Sequence, residues 1–536
     1  MIMLDNTDYP SSLPETWSQV RHEEIAFINP KLNSEEISDE LEVSFLPMAA
    51  IEEKTGRFNL SDVRQYGKVK KGYTQFANGD LLFAKITPCM ENGKVVVVGN
   101  LVNGIGCGST EFHVSRPIDL VNRKYLFFYF VQEAFRRDAQ RNMTGSAGQL
   151  RVPKSFFAEA RIPFPPLAEQ QRIVDKIEEL FSDLDSGIDS LKTAQRQLKV
   201  YRQAVLKWAF EGKLTAQWRE EQRRQGKLES ADALLAKINA ERSQRYQKEL
   251  GIWQAEVEAW DANGKEEKKP RKPKKPKSQE RLIADDLKDF PSLPNDWQWV
   301  RVDQLGDVQL GRQRSPKNRS KDYPTKYVRA ANITESGLDL SDVLDMEFSP
   351  DERRIYELKS GDIILSEASG SANQAGKPAM WRNQLPCCCF QNTVIRLRPY
   401  VISSEYILKA FKNYYFNGIF ANVASGVGIN HLSANKFSAI PFPVAPPDEQ
   451  LKIVEELETR FSICDRLEAD IETNLKKAEA LRQSVLKQAF EGKLVPQDPN
   501  DEPALVLLER IRAERKAQKA QSGKAKTKTK AKRVVS

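Results

Sequence analysis

The side chains best suited to meeting a nucleic acid cluster in a few stretches punctuated by glycine and proline. Lys85-Ile-Thr-Pro-Cys-Met-Glu-Asn92-Gly-Lys94 offers two lysines and an amide on a turn-rich loop, types that suit phosphates and base edges. In Arg141-Asn142-Met-Thr-Gly-Ser146-Ala-Gly-Gln149-Leu-Arg151, glycines let backbone approach a phosphate closely while Arg, Asn and Gln match the acceptor and donor pattern of purine edges. The C-terminal half offers Ser369-Gly-Ser371-Ala-Asn373-Gln374-Ala-Gly-Lys377 and Ser425-Gly-Val-Gly-Ile-Asn430-His431. Arg312-Gln-Arg314-Ser-Pro-Lys317-Asn-Arg319 adds a local positive patch. The plain alternative for each residue is a solvated loop; taken as sets, the loops favour DNA contact.

Other chemistries lack their residues. No glycine-rich cofactor loop or Asn/Asp-Pro-Pro-aromatic run suggests a methyltransferase, and Glu211-Gly-Lys-Leu lacks the leading glycine and the hydroxyl of a phosphate-binding loop. Asp80, Lys85 and Glu91 come nearest to a nuclease cluster, but the matched region keeps Glu367 without a lysine at the same distance. His22, His113 and His431 are not spaced as metal ligands. Trp17 and Trp297 read as core residues, and Cys387-Cys388-Cys389 as a strand with alternating faces. No catalytic or metal-binding residue is therefore expected.

The chain has 536 residues, enough for three or four folded units, and its six cysteines show no CxxC spacing, which suits reduced thiols. No signal segment or membrane-length apolar run occurs, so a cytoplasmic location is expected. Seven Lys and Arg533 between Lys516 and Ser536 equal the whole formal net charge of +8. Asn263–Ser278, with seven Lys, one Arg and two Glu, carries +6, leaving −6 for the rest. Any phosphate-binding surface on the folded body must then be local, and the two basic segments add only sequence-blind attraction.

The elements that must position these loops come in duplicate. Leu13, Pro14, Trp17, Val20 and Arg21 recur 280 residues later as Leu293, Pro294, Trp297, Val300 and Arg301. Ile162-Pro-Phe-Pro recurs at Ile440, Glu169-Gln170 at Glu449-Gln450, and RQAVLKWAFEGKL from Arg202 at Arg482 as RQSVLKQAFEGKL, all at the same offset. Each copy ends in a heptad helix. In the first, Ile177, Leu184, Leu191, Leu198 and Val205 form one seam, and Ile173, Leu180, Ala194, Tyr201 and Trp208 the other. Leu457, Cys464, Ile471, Ala478 and Val485, with Ile453, Leu467 and Leu481, repeat this in the second. About 42 residues make a rod of roughly 60 Å that needs a long partner, and the other copy supplies it. Residues 20–165 and 300–443 alternate short β-like runs with turns and short helices, so each is a mixed α and β globule. The globules have diverged while the rods have not.

This combination resembles the specificity subunit of a Type I restriction-modification enzyme, on the LPETW and LPNDW openings, IPFPPLAEQ and IPFPVAPPDEQ, and the twin AFEGKL endings. The resemblance implies an α+β fold: two mixed α/β target-recognition domains separated by two long antiparallel coiled-coil helices, with a pseudo-twofold internal repeat. The expected division is target-recognition domain 1 over 1–165, spacer helix 166–214, a charged helical insert 215–262, and a Lys/Pro-rich linker 263–290. Target-recognition domain 2 over 291–443, a second spacer 444–495, an accessory helix 496–515 and a disordered basic tail 516–536 complete it. Each domain is implied to read half of an asymmetric bipartite DNA site while the helices set the spacing and dock partners. Those partners are double-stranded DNA, two modification (methyltransferase) subunits and restriction (motor/nuclease) subunits. S-adenosylmethionine, ATP and magnesium belong to the partners, so this chain carries no cofactor and no catalysis. The alternative from another class is a coiled-coil assembly scaffold whose globules bind proteins; a self-contained enzyme ranks third.

Overall fold

The computed structural model describes residues 13–33, 35–146, 148–265, 269–273, 275, 282–313, 323–367, 374–424 and 431–516. The basic tail beyond 516 lies outside the described residues. Three helices organise the rest: α1 (Leu167–Phe210), α2 (Ala231–Ala262) and α3 (Pro447–Phe490). The first and third have 44 residues each, slightly more than the heptads alone predict. Prolines open both, with Gln170 N–H bonding the Pro166 carbonyl and Gln450 N–H that of Pro446. Both close on a left-handed glycine, Gly212 and Gly492, each at φ 70°. The next amide then reaches back to the last turn, Lys213 to Trp208 and Lys493 to Gln488.

The chain divides into two compact units that cut across the expected domain boundaries. The first comprises residues 1–192 and 472–536, the second 193–471. Each therefore holds one globule, the beginning of the long helix that follows it, and the end of the other long helix.

In the first unit, Ala26–Ile28, Phe112–Pro117, Leu81–Ala84 and Val95–Val97 form one four-stranded sheet, in that spatial order. Val63–Gln65, Glu42–Leu46, Ile105–Gly108 and Thr74–Ala77 form another. Phe83, Tyr125, Phe130, Phe135 and Phe157 fill the core, and Val485, Leu486, Ala489 and Phe490 from the end of α3 join it. The second unit repeats the first sheet with Gly306–Leu310, Val394–Pro399, Ile363–Ser366 and Pro378–Met380. There Val205, Leu206, Ala209 and Phe210 from the end of α1 enter the core beside Tyr406, Phe411 and Phe442. In both units the segment after the Leu-Pro-x-x-Trp motif pairs antiparallel with the Ile-Pro-Phe-Pro segment, Ser18 facing Phe164 and Gln298 facing Val444.

Within each unit the two long-helix segments run antiparallel. In the first, Arg482 pairs with Asp185, and Arg172 with Asp501 beyond the end of α3. In the second, Arg202 pairs with Asp465 at 2.6 Å, and Glu449 near the start of α3 meets Thr215 and Arg219 beyond the end of α1. Asp185–Arg482 and Asp465–Arg202 are the same contact moved by the repeat offset.

Two expectations need correction. The second heptad seam is covered only in part: Ile173 and Ile453 at the helix starts are buried, whereas Tyr201, Trp208, Leu467 and Leu481 are 39%, 49%, 44% and 50% exposed. The triple cysteine is not a simple alternating strand either. Cys387 sits exposed in a turn at φ 49°, and only Cys389 enters a strand. Burial pushes the Cys388 and Cys389 thiols up to about 12, so they stay protonated. Among the described residues no helix is long and apolar enough to cross a membrane.

Candidate nucleic-acid interface

The two loops singled out in the first globule are brought together by the backbone. Val152 N–H donates to the Lys85 carbonyl at 2.8 Å, Thr87 N–H to that of Leu150 at 3.1 Å, and Thr144 and Arg151 exchange both bonds. Strand Leu81–Ala84 therefore delivers the first loop directly onto the root of the second. Gly145 at φ 133° is required here, because a Cβ would stand 2.8 Å from the Gln149 carbonyl oxygen. Arg141, Ser146 and Gln149 are exposed on this junction, and Lys85 is half-buried beside it.

Several neighbours are already engaged. Arg151 sends Nε and Nη2 to both oxygens of Glu111 at 2.9 Å, which holds that carboxyl below its usual range. Asn142 caps its helix through the Asp138 carbonyl, Asn92 donates to Glu53, and Lys94 Nζ donates to the Met48 carbonyl. These residues shape the loops at least as much as they display donors. Buried Arg136 braces the first loop from behind by bonding the Glu91 carbonyl.

The second globule makes the same junction from different side chains. Leu432 N–H donates to the Glu367 carbonyl at 2.9 Å, and Glu367 N–H to that of Thr393, matching Val152–Lys85 and Lys85–Glu111 in the first. Where the first unit has Arg151 on Glu111, the second has His431 3.4 Å from Glu367, whose pKa burial raises. Gln374 and His431 are exposed and Lys377 is half-buried. Ser366 ties the loop by donating to the Gln374 carbonyl and accepting from Lys377 N–H. Gly376 at φ 79° is required, since a Cβ would meet the Phe420 ring at 2.6 Å.

Arg312 is a correction to the expected basic patch. It is 6% exposed, with Nε on Glu352 at 2.6 Å and Nη1 on the Glu347 carbonyl, so its charge is spent inside the fold. Arg314, Lys317, Ser369, Ser371, Asn373 and Asn430 lie outside the described residues.

Asp80 and Asp362 precede the strands that deliver the loops, at the ends away from them, and sequence reading missed the ion pairs they make. Asp80 is fully buried and takes a bidentate ion pair from Arg116, with both contacts at 2.7 Å; Asp362 takes one from Arg398 at 2.8 and 2.7 Å. The signal was the duplicated Gly-Asp at 79–80 and 361–362. A carboxylate so satisfied is a brace, not a metal ligand, and among the described residues no group of His, Cys, Asp and Glu is arranged to hold a metal. His22 and His113 are likewise structural. Burial lowers both to about 4, and they bond Ser115 and the Val152 carbonyl respectively.

Comparison with known proteins follows the same duplication. The profile of the Type I restriction modification DNA specificity domain matches residues 14–195 and again 294–477. The chain is 30% identical to the Type I restriction enzyme EcoAI specificity subunit of Escherichia coli, covering 90% of this chain and 84% of that one. It is 24% identical to the StySPI specificity subunit of Salmonella potsdam, covering 96% and 98%. Two solved chains share its fold. One, from work on complex assembly and conformational transition of the type I R-M system, has a TM-score of 0.61 at 17% identity, covering 90% of this chain and 100% of that chain. The other, the HsdS subunit from Thermoanaerobacter tengcongensis, has a TM-score of 0.54 at 16% identity, covering 91% and 100%.

Proposed function

The chain belongs to the Type I restriction-modification DNA specificity family, and from that premise we propose that each globule reads one half of an asymmetric, bipartite DNA target through its paired loops. As a specificity subunit it is non-catalytic and works with DNA and the other subunits of the system. One observation carries the division of labour. Both units build the same loop junction from the same backbone bonds, yet place different side chains on it. In the first, exposed Arg141, Ser146 and Gln149 are the candidate contacts; in the second, Gln374, Lys377 and His431. Unlike heads on like scaffolds favour an asymmetric site.

The paired helices set the separation of the half-sites, as the protein frame does in dimeric readers. The apolar side chains they leave uncovered, Tyr201, Trp208 and Leu467 in the second unit and Leu481 in the first, are the docking surfaces for two modification subunits. These bring S-adenosylmethionine and methylate adenine, while restriction subunits bring ATP- and magnesium-dependent translocation and cleavage.

The test is exchange of a head. Replacing residues 300–440 with the corresponding domain of another family member should change one half-site and leave the other and the spacing intact, read by footprinting with the modification subunit present. An unchanged target after that exchange rejects the proposal.

A further inference from the structure

The insert between the two repeats stacks aromatic rings of α2 against a Lys/Pro segment. Tyr246, Trp253 and Trp260 lie seven residues apart on α2, so they form one stripe with a step of about 10.5 Å. Gly264 and Lys265 both have positive φ, and Lys269-Pro-Arg-Lys-Pro lies back along that stripe. Lys269 Nζ stands 5.5 Å from the Trp260 ring centre and Lys272 Nζ 5.4 Å from that of Trp253. The Trp253 indole N–H donates to the Pro270 carbonyl at 3.1 Å, and Lys275 lines the same cavity as Tyr246.

The two periods agree. Proline fixes φ and biases its predecessor toward an extended conformation, so a Lys-Pro-x triplet advances about 9 Å, close to one heptad of helix. Each third residue, Lys269 and then Lys272, thus meets the next aromatic ring. Lys269, Arg271, Lys272 and Lys275 are all exposed, and Arg271 falls in the threefold series between the two ring-contacting lysines. The stripe is anchored: Ala231, Leu234 and Ile238 at the start of α2 are buried in the second unit's core, and Glu256 pairs with Arg354.

We propose that this strap is a phosphate-binding ridge, ordered by the aromatic stripe and directed at the DNA backbone without regard to sequence. The inference rests on the DNA-binding reading above. A free polycation loses conformational freedom when it binds; here the stripe has already removed much of it, so each cation engages phosphate at lower cost.

The test separates order from charge. Nonspecific binding of the full-length chain to a duplex of roughly 30 base pairs lacking the target is measured by fluorescence anisotropy between about 50 and 200 mM salt. Trp253→Ala with Trp260→Ala removes no charge, and should weaken binding about three- to tenfold. Trp253→Phe with Trp260→Phe keeps the ring faces and should restore most of it. Arg271→Gln should lower the slope of log affinity against log salt by about 1. Should the alanine pair not fold, Pro270→Gly with Pro273→Gly loosens the strap at constant charge and is expected to give the same loss. Unchanged affinity overturns the proposal in favour of a flexible polycation; tighter binding overturns it in favour of lysines held away from DNA. Preference of the wild-type chain, with its modification subunit, for target over non-target duplex reports on the parent reading independently.

Discussion

At the scale of single residues, the repeat provides its own control. Trp17 and Trp297 each donate an indole N–H to a buried glutamate, Glu169 at 3.0 Å and Glu449 at 2.8 Å. Glu449 also accepts from Thr215 and pairs with buried Arg219. At the matching positions, 280 residues on, the first unit receives Val495 and Pro499, and Glu169 keeps a buried oxygen without a hydrogen bond among the described residues. Two equivalent carboxylates should therefore answer differently to removal. Glu449→Ala strands the guanidinium of Arg219 and should cost about 3–5 kcal/mol. Glu169→Ala gives up one indole bond and should cost about 1–2 kcal/mol. Burial raises the pKa of Glu169, so its contribution to stability is complete below the ordinary glutamate range and is lost as pH rises through the elevated value. Glu169→Gln, which cannot ionise, should flatten that decline in thermal melts recorded across pH, whereas an unaltered pH profile would remove burial of this carboxylate as its source. Sequence showed the paired glutamates plainly; it could not show which had a charged partner, because Arg219 arrives from beyond the end of the other repeat's helix.

At the scale of elements, the same handover explains the AFEGKL endings. They read as helix stops, and they are, but their constancy has a second cause. A Cβ on Gly212 would stand 2.4 Å from Cγ of Pro294, and one on Gly492 at the same distance from Pro14. Each helix end thus seats against the Leu-Pro opening of the globule in its own unit. Gly212→Ala and Gly492→Ala combine a left-handed backbone, costing about 1–2 kcal/mol, with overpacking worth about 1–3 kcal/mol. Each should lower the free energy of unfolding by about 2–5 kcal/mol in denaturant titrations, and a change below about 1 kcal/mol would mean the proline simply moves aside. Heptad spacing disclosed the long helices and their ends, since that information is local. It could not disclose that Tyr201 and Trp208 remain uncovered, because an apolar seam looks the same whether a sister helix or a separate subunit covers it.

At the scale of the whole molecule, duplication made the architecture legible and divergence hid the site. The 280-residue offset carries through strand pairing and the Asp185–Arg482 and Asp465–Arg202 pairs, and the Tyr125 and Tyr406 hydroxyls, 281 residues apart, make equivalent bonds to the Pro163 and Pro443 carbonyls. The loops obey no such rule. Arg312 looked like a surface cation and is buried, because its partner Glu352 lies 40 residues away and no local pattern links them. If the helices are the ruler for the half-sites, length should be adjustable without touching either head. The position after Ala194 suits an insertion, since the boundary between the compact units falls at residues 192 and 193 and Ala194 is only half-buried. One added helical turn extends α1 by about 5.4 Å, which corresponds to one or two base pairs at roughly 3.4 Å each. Footprints of that variant should show both half-site sequences unchanged and the gap between them longer by about that amount. A changed half-site sequence would place base reading partly on the helices, and an unchanged gap would mean that the DNA-facing spacing is set by the globules alone.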